Sequence, residues 1–190
     1  YVDLANEARE IVCITPEGWK VLPANEAPVR MVRTRGMLAL PSPECGDSQD
    51  VPARIERLRQ FLNVDDLQWI LVRGFLVGML RPRGPHAALV LTAEHGCGKS
   101  WTAEVLRELV DPSVANNRRP PKDERDLAIA ARNAHVISLN NLSGISTWLS
   151  DAICSILDGG GLSTRELHSD ADATIFAGAR PFILNGIEDV

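Results

Sequence analysis

The sequence predicts an α/β protein: a parallel sheet flanked by helices, with a small β and helical amino-terminal region. Three observations carry that expectation. Residues 86–92 (HAALVLT), 135–139 (HVISL) and 181–184 (PFIL) are continuous apolar runs of strand length, as expected for strands buried on both faces. Segments of helical period alternate with these runs, the order that builds a parallel sheet. The chain has 190 residues, 45% of them hydrophobic and 24% charged, enough for one full core plus an appendage. That composition excludes a disordered chain, a collagen and a disulfide scaffold.

In chain order, residues 10–14 and 19–22 read as strands about the turn Thr15-Pro16-Glu17-Gly18, with proline at its second position. Residues 29–33 alternate and 36–40 are apolar, so both read as strands. This front piece carries Arg30, Arg33 and Arg35, either facing phosphates or solvated on an edge strand. Residues 41–53 are rich in turn formers and read as a joint. Residues 52–62 and 66–80 read as helices, the second apolar on most sides. A helix over 101–110 sets Trp101, Val105 and Leu109 on one face, and residues 111–123 form a second polar connection. Residues 123–133 form a helix with acids in its first turn. Residues 143–157 form the cleanest helix, striped by Ile145, Trp148, Leu149, Ala152, Ile153, Ile156 and Leu157 and stopped by Gly159-Gly160-Gly161. Residues 162–168 and 173–177 read as a hairpin. The organisation expected is a small β element over 1–50, a helical connector over 51–85 and a core over 86–190. There is no internal repeat.

The formal charge of −5 excludes a wholly basic nucleic-acid coat. The cysteines at 13, 45, 97 and 154 contain no C-x-x-C pair, which suggests a reducing, cytoplasmic setting. The longest apolar stretch, 67–80, is too short and contains Arg73, so no membrane span is expected. Nothing at the start resembles a signal peptide. Because it begins at Tyr1, the chain reads as a fragment or processed product.

The most informative segment is LVLTAEHGCGKS, residues 89–100: a buried strand, a glycine loop, and Lys99-Ser100 opening a helix. This is the context a phosphate-binding loop requires. Gly96 and Gly98 let successive N–H groups converge, and the helix adds its positive end. Lys99 can reach β and γ phosphates, and the Ser100 hydroxyl can hold Mg²⁺. The candidate nucleotide-binding residues are Ala93, Glu94, His95, Gly96, Cys97, Gly98, Lys99, Ser100 and Trp101. Ala93 stands where the pattern G-x-x-x-x-G-K-[ST] has its first glycine. Cys97 is either a thiol activated by the helix end or a small loop filler. The second core strand ends in Asn140-Asn141, which either meet a metal's water or cap the next helix. The third ends in Asn185-Gly186, which either faces the crevice over the sheet or forms a turn.

Taken together, AEHGCGKS, the NN after HVISL, GGGLSTREL and RPFILNG resemble the ATPase core of superfamily 3 helicases. More closely they resemble phage and mobile-element ATPases related to poxvirus-type primase-helicases, of the AAA+ class. The resemblance covers residues 87–190. It implies ATP and Mg²⁺ as ligands, Lys99 and Ser100 as the Walker A pair, Asn140 at the Walker B acid position and Asn185 as a sensor. Lys99, Asn140 and Asn185 are then the catalytic set, with Ser100 and Asn140 at the metal. It also implies a homo-oligomeric ring and a pore hairpin over 159–180 that touches single-stranded DNA through Arg165 and His168. Two departures stand out: Asn140 is no acid, and Glu166, Asp170 and Asp172 make the hairpin acidic. An arginine finger would lie beyond Val190. The expected function is therefore an ATP-driven motor on DNA. The rivals are a nucleotide switch that does not hydrolyse, a small kinase with a lid built on Arg118, Arg119 and Lys122, and a fragment whose site is vestigial.

Overall fold

The computed structural model describes residues 1–44, 50–94, 96–165 and 173–186. Among them the chain is mixed α/β, with five helices and a parallel three-stranded sheet. The elements are β1 (Val2–Asp3), β2 (Glu10–Thr15), β3 (Gly18–Pro23), α1 (Val51–Arg59), α2 (Asp66–Met79), β4 (Ala88–Leu91) and α3 (Lys99–Glu108). There follow α4 (Glu124–Asn133), β5 (Ile137–Leu139), α5 (Thr147–Asp158), β6 (Leu162–Arg165), β7 (Ala173–Phe176) and β8 (Phe182–Asn185).

The central sheet has the order β4-β8-β5, all parallel, so the last strand lies between the other two. Successive side chains on β8 point to opposite faces and seed two cores. Phe182 and Leu184 join Ile137, Leu139, Leu149 and Ile156 under α4 and α5. Ile183 joins Val72, Phe75, Met79, Ala103 and Leu106 under α2 and α3. Helices thus cover both faces of β5 and β8, as their continuous apolar runs require. β4 at the sheet edge is only partly buried and its Val90 is exposed, so the expectation of a fully buried first strand is corrected.

The helices begin and end where local chemistry dictates. Asp65 and Gln68 form a reciprocal capping box at α2. The Asp123 side chain accepts from the Asp126 N–H at α4. Gly159, at φ +87°, closes α5 in the left-handed conformation that glycine tolerates. Two readings of helical faces need correction, and a third helix is covered on one side only. On α3 the buried residues are Thr102, Ala103, Leu106 and Arg107, whereas Trp101 and Leu109 are exposed, because the sheet lies on the other side of that helix. α5 starts at Thr147, so Ile145 precedes the helix. On α2 only the face of Trp69, Val72, Phe75 and Met79 is covered, and Leu67, Ile70, Leu71 and Val77 remain exposed.

The hairpin β2–β3 forms with Thr15 opposite Gly18, and β1 adds to its edge. Residues 29–33 and 36–40 are not strands. They run as a strap whose hydrogen bonds go elsewhere: Arg33 grips Asp3 through Nε and Nη2, Leu38 N–H donates to Pro112 O, and Leu40 N–H to Leu4 O. Of the three arginines on it, Arg33 is therefore committed to an ion pair. β6 and β7 form the expected hairpin, with Arg165 opposite Ala173. His168 and the acids Glu166, Asp170 and Asp172 lie outside the described residues. No helix among those described is long and apolar enough to cross a membrane.

At the opposite end of the sheet from the loop, His86 is buried with its ring edge-on to His135 at 6.0 Å. Burial first, then the charges of His135, Arg81 and Arg180, push the His86 pKa down. The unfolded chain therefore takes up this proton first as pH falls, so His86 contributes stability above about pH 6.5 that is lost on acidification. His86→Leu should flatten that acid limb. Urea unfolding at pH 7.5 and pH 5.5 checks this: the wild type should lose more stability between the two than the variant.

Candidate functional site

β4 ends at Leu91, the loop runs through Gly98, and α3 opens at Lys99. Gly96 and Gly98 take φ of +84° and +81°, where any other residue is strained, and nothing lies within 4 Å of a Cβ built on either. The loop therefore leaves open space beside both glycines. Lys99 folds back over it, with Nζ donating to the carbonyls of Ala93 and Glu94 (2.9 Å to the latter). This holds an ammonium over the loop at the amino end of a ten-residue helix. Cys97 is a half-buried free thiol whose N–H donates to Glu94 O, which makes it part of the turn. Glu94 is exposed, and His95 lies outside the described residues.

The strand order delivers the two distant candidates to the same place. Asn185 ends β8 in register with Leu91 of β4, and Asn140 follows β5. Asn185 is 2% exposed; its Nδ2 donates to Asn140 Oδ1 at 2.7 Å and to Ser100 Oγ at 3.1 Å. Ser100 Oγ–H donates in turn to Asn140 Oδ1 at 3.3 Å. A third donor, the Asn141 N–H, reaches the same Oδ1 at 3.0 Å. Ser100, Asn140 and Asn185, 85 residues apart at the extremes, thus form one polar cluster beside the loop. Asn140 does not cap the next helix, because Ser146 holds that position. Nor is Asn185-Gly186 merely a turn: a Cβ on Gly186 would stand 3.0–3.2 Å from the backbone of residues 141–142, so glycine permits the close approach of two loops.

An open cavity of about 1150 Å³ spreads over these strand ends, lined by the loop, Lys99, Ser100, Trp101, Asn185 and Gly186. Asn141, at φ +59°, lines it too, whereas Asn140 lies behind the wall. Asn141 has the residue type that best tolerates that conformation. The crevice outside the carboxyl ends of parallel strands is where α/β sheets place ligands.

Sequence reasoning missed Asn117. Its side chain donates to Glu104 Oε1 at 2.9 Å and Ser100 O at 3.4 Å and accepts from Ser138 Oγ at 2.7 Å, tying α3 to β5. The next residue pairs its backbone with β5: Arg118 N–H donates to Ser138 O, and Asn140 N–H to Arg118 O. The connection over 111–123 is therefore a built support for the cluster rather than a loose joint, and no periodicity announces such a role. Arg118 is bound to the sheet edge.

The oxygens of Ser100 and Asn140 are hard donors of the kind Mg²⁺ accepts, but neither carries charge. Among the described residues no group of three or more His, Cys, Asp or Glu side chains could hold a metal. The chemistry the described residues bring together is therefore the Lys99 ammonium, the amino end of α3 and a neutral amide–hydroxyl cluster, which suits a phosphorylated ligand.

No curated protein matches the chain. A family model described as the actinomycete integrative conjugative element replication protein matches residues 54–190, from α1 to the end and including the loop and both asparagines. With well over half of its length matched, the chain belongs to the actinomycete integrative conjugative element replication protein family.

Proposed function

We propose that the chain is the nucleotide-binding core of a mobile-element replication protein, a P-loop domain of AAA+ type that binds ATP with Mg²⁺. Turnover in an assembled homo-oligomeric ring then drives movement on single-stranded DNA. The observation that carries this reading is the convergence of Lys99, the open glycine loop and the Ser100–Asn140–Asn185 cluster at one end of three parallel strands. The loop N–H groups and Lys99 take the β and γ phosphates. Ser100 would offer its oxygen to the metal, Asn140 would act on it from behind through the Ser100 hydroxyl or a bound water, and Asn185 holds both in place. Bound Mg²⁺ neutralises charge on the triphosphate during transfer. The replication family supports the DNA partner, and Arg165 at the end of β6 remains the candidate contact, with His168. The binding of Arg118 to the sheet edge weighs against a kinase lid.

The uncharged cluster favours a second reading, a nucleotide switch that hydrolyses slowly or not at all. One experiment addresses both. A fluorescent ATP analogue is titrated with Mg²⁺ against wild type, Asn140→Asp and Asn141→Asp, and phosphate release is followed in parallel. Wild type should bind but turn over well below the ~1–100 s⁻¹ typical of kinases. Asn140→Asp places a charge 3.3 Å from Ser100 Oγ where three donors already converge, and should raise turnover about tenfold with little change in affinity. Asn141→Asp should do less. No binding by wild type would sink the proposal, and binding without any gain at position 140 would leave the switch.

A further inference from the structure

Trp101 is an exposed tryptophan held in a fixed place. Tryptophan on a protein surface commonly marks contact with a ligand or partner. Here it follows directly on Lys99 and Ser100, in the first turn of α3, and lines the same cavity. Its indole is 55% exposed, yet its Nε1–H donates to the Phe61 carbonyl at 3.2 Å. That bond anchors one edge of the ring to the turn between α1 and α2. An anchored ring pays little entropy when a flat ligand covers it. The phosphates of a ligand held by the loop fix one end of the molecule, and the indole stands at the wall alongside.

We infer that Trp101 is the stacking platform for the base of the bound nucleotide, and that it makes the site selective for purine over pyrimidine nucleoside triphosphates. This rests on the phosphate-loop reading above. Stacking depends on overlapping π area, which is larger for a two-ring base than for a one-ring base, and it is tolerant of exocyclic groups. The platform therefore separates purines from pyrimidines and leaves adenine and guanine close together.

The test measures binding of ATP, GTP, CTP, UTP and inorganic tripolyphosphate, each with Mg²⁺, to the full chain by calorimetry and by tryptophan fluorescence. Wild type should bind both purine nucleotides about threefold more tightly than the pyrimidines, a fraction of the energy of one stacked base because pyrimidines stack as well, with quenching of the indole. Trp101→Leu should abolish the preference and the quenching while tripolyphosphate binds as before. Trp101→Phe, which keeps an aromatic face and guards against misfolding of the leucine variant, should retain most of the preference. An unchanged base preference in Trp101→Leu overturns the inference. So does an equal loss of tripolyphosphate binding, because Trp101 would then only support the loop. If wild type binds tripolyphosphate without base preference, this inference fails and the phosphate loop stands. If wild type binds none of the five, both fail together.

Discussion

Replacing Asp111 with alanine should destabilise the protein by about 3–5 kcal/mol, the cost of leaving a buried charge without its partner. Arg107 is 1% exposed, in the last turn of α3, and burial pushes its guanidinium pKa down while Asp111 opposes that push. Asp111 Oδ2 lies 3.6 Å from Arg107 Nη2 and also accepts the N–H groups of His135 and Val136, each at 2.9 Å. One carboxylate therefore neutralises the arginine and fixes the entry to β5. Asp111→Asn keeps an acceptor for the two N–H groups but removes the charge. In an Arg107→Met background, Asp111→Asn should cost far less than in wild type, because no buried cation is then left alone. Urea unfolding of the four proteins gives the coupling. If the aspartate substitution costs the same with arginine or methionine at 107, the pair is not what holds this connection.

The consequence reaches the site. Arg107 Nη1 donates to the carbonyls of Ala115 and Asn116, which fixes the backbone just ahead of Asn117 and Arg118. Those two residues in turn set the spacing between Ser100 and Asn140. A variant at 111 that still folds should therefore bind nucleotide less tightly, although Asp111 touches none of the loop.

Much of this arrangement was legible in the sequence. The apolar runs make β5 and β8 legible because a strand buried on both faces tolerates no polar alternation, whereas β4 carries the same kind of run at a sheet edge where Val90 stays exposed. The glycine loop is legible because only glycine accepts φ above +80° at 96 and 98 without strain. Strand order was not legible. Pairing of β8 between β4 and β5 joins residues nearly a hundred apart, and no local pattern encodes it. The contact of Asn185 with both Asn140 and Ser100 was thus beyond local reading, although a polar residue at each strand's carboxyl end hinted at it. The strap over 29–40 misled for the opposite reason. Its apolar alternation is real, but the carbonyls of Pro112 and Leu4 take the Leu38 and Leu40 N–H groups a ladder would have used, and the Arg33 side chain ties the strap to Asp3 instead. Face assignment on α3 failed because Trp101 and Leu109 are apolar yet exposed, and for Trp101 the cavity supplies a reason that a core-seeking pattern lacks.

Lys99→Ala should weaken binding of Mg²⁺-ATP by about 2–4 kcal/mol, the range for truncating one member of a buried charged contact, or roughly 30- to 1000-fold in affinity. The ammonium is the cation the described loop presents to its cavity, held over it by the Ala93 and Glu94 carbonyls. Those two bonds raise a competing explanation, that alanine acts by unfastening the loop. Lys99→Met separates the two only in part, since it keeps the stem and loses both the charge and the bonds. Lys99→Arg keeps a cation and donors but replaces a compact charge with a wide planar fork. If charge at the phosphates matters, arginine should recover part of the loss and methionine none, and affinity for wild type should fall as salt rises while that of Lys99→Ala responds less. Global stability by urea should change by less than about 0.5 kcal/mol in all three, because the site is open to water and carries no core packing. Equal affinity for wild type and Lys99→Ala would remove the loop as a phosphate site, and with it the reason for the three strands to end where they do.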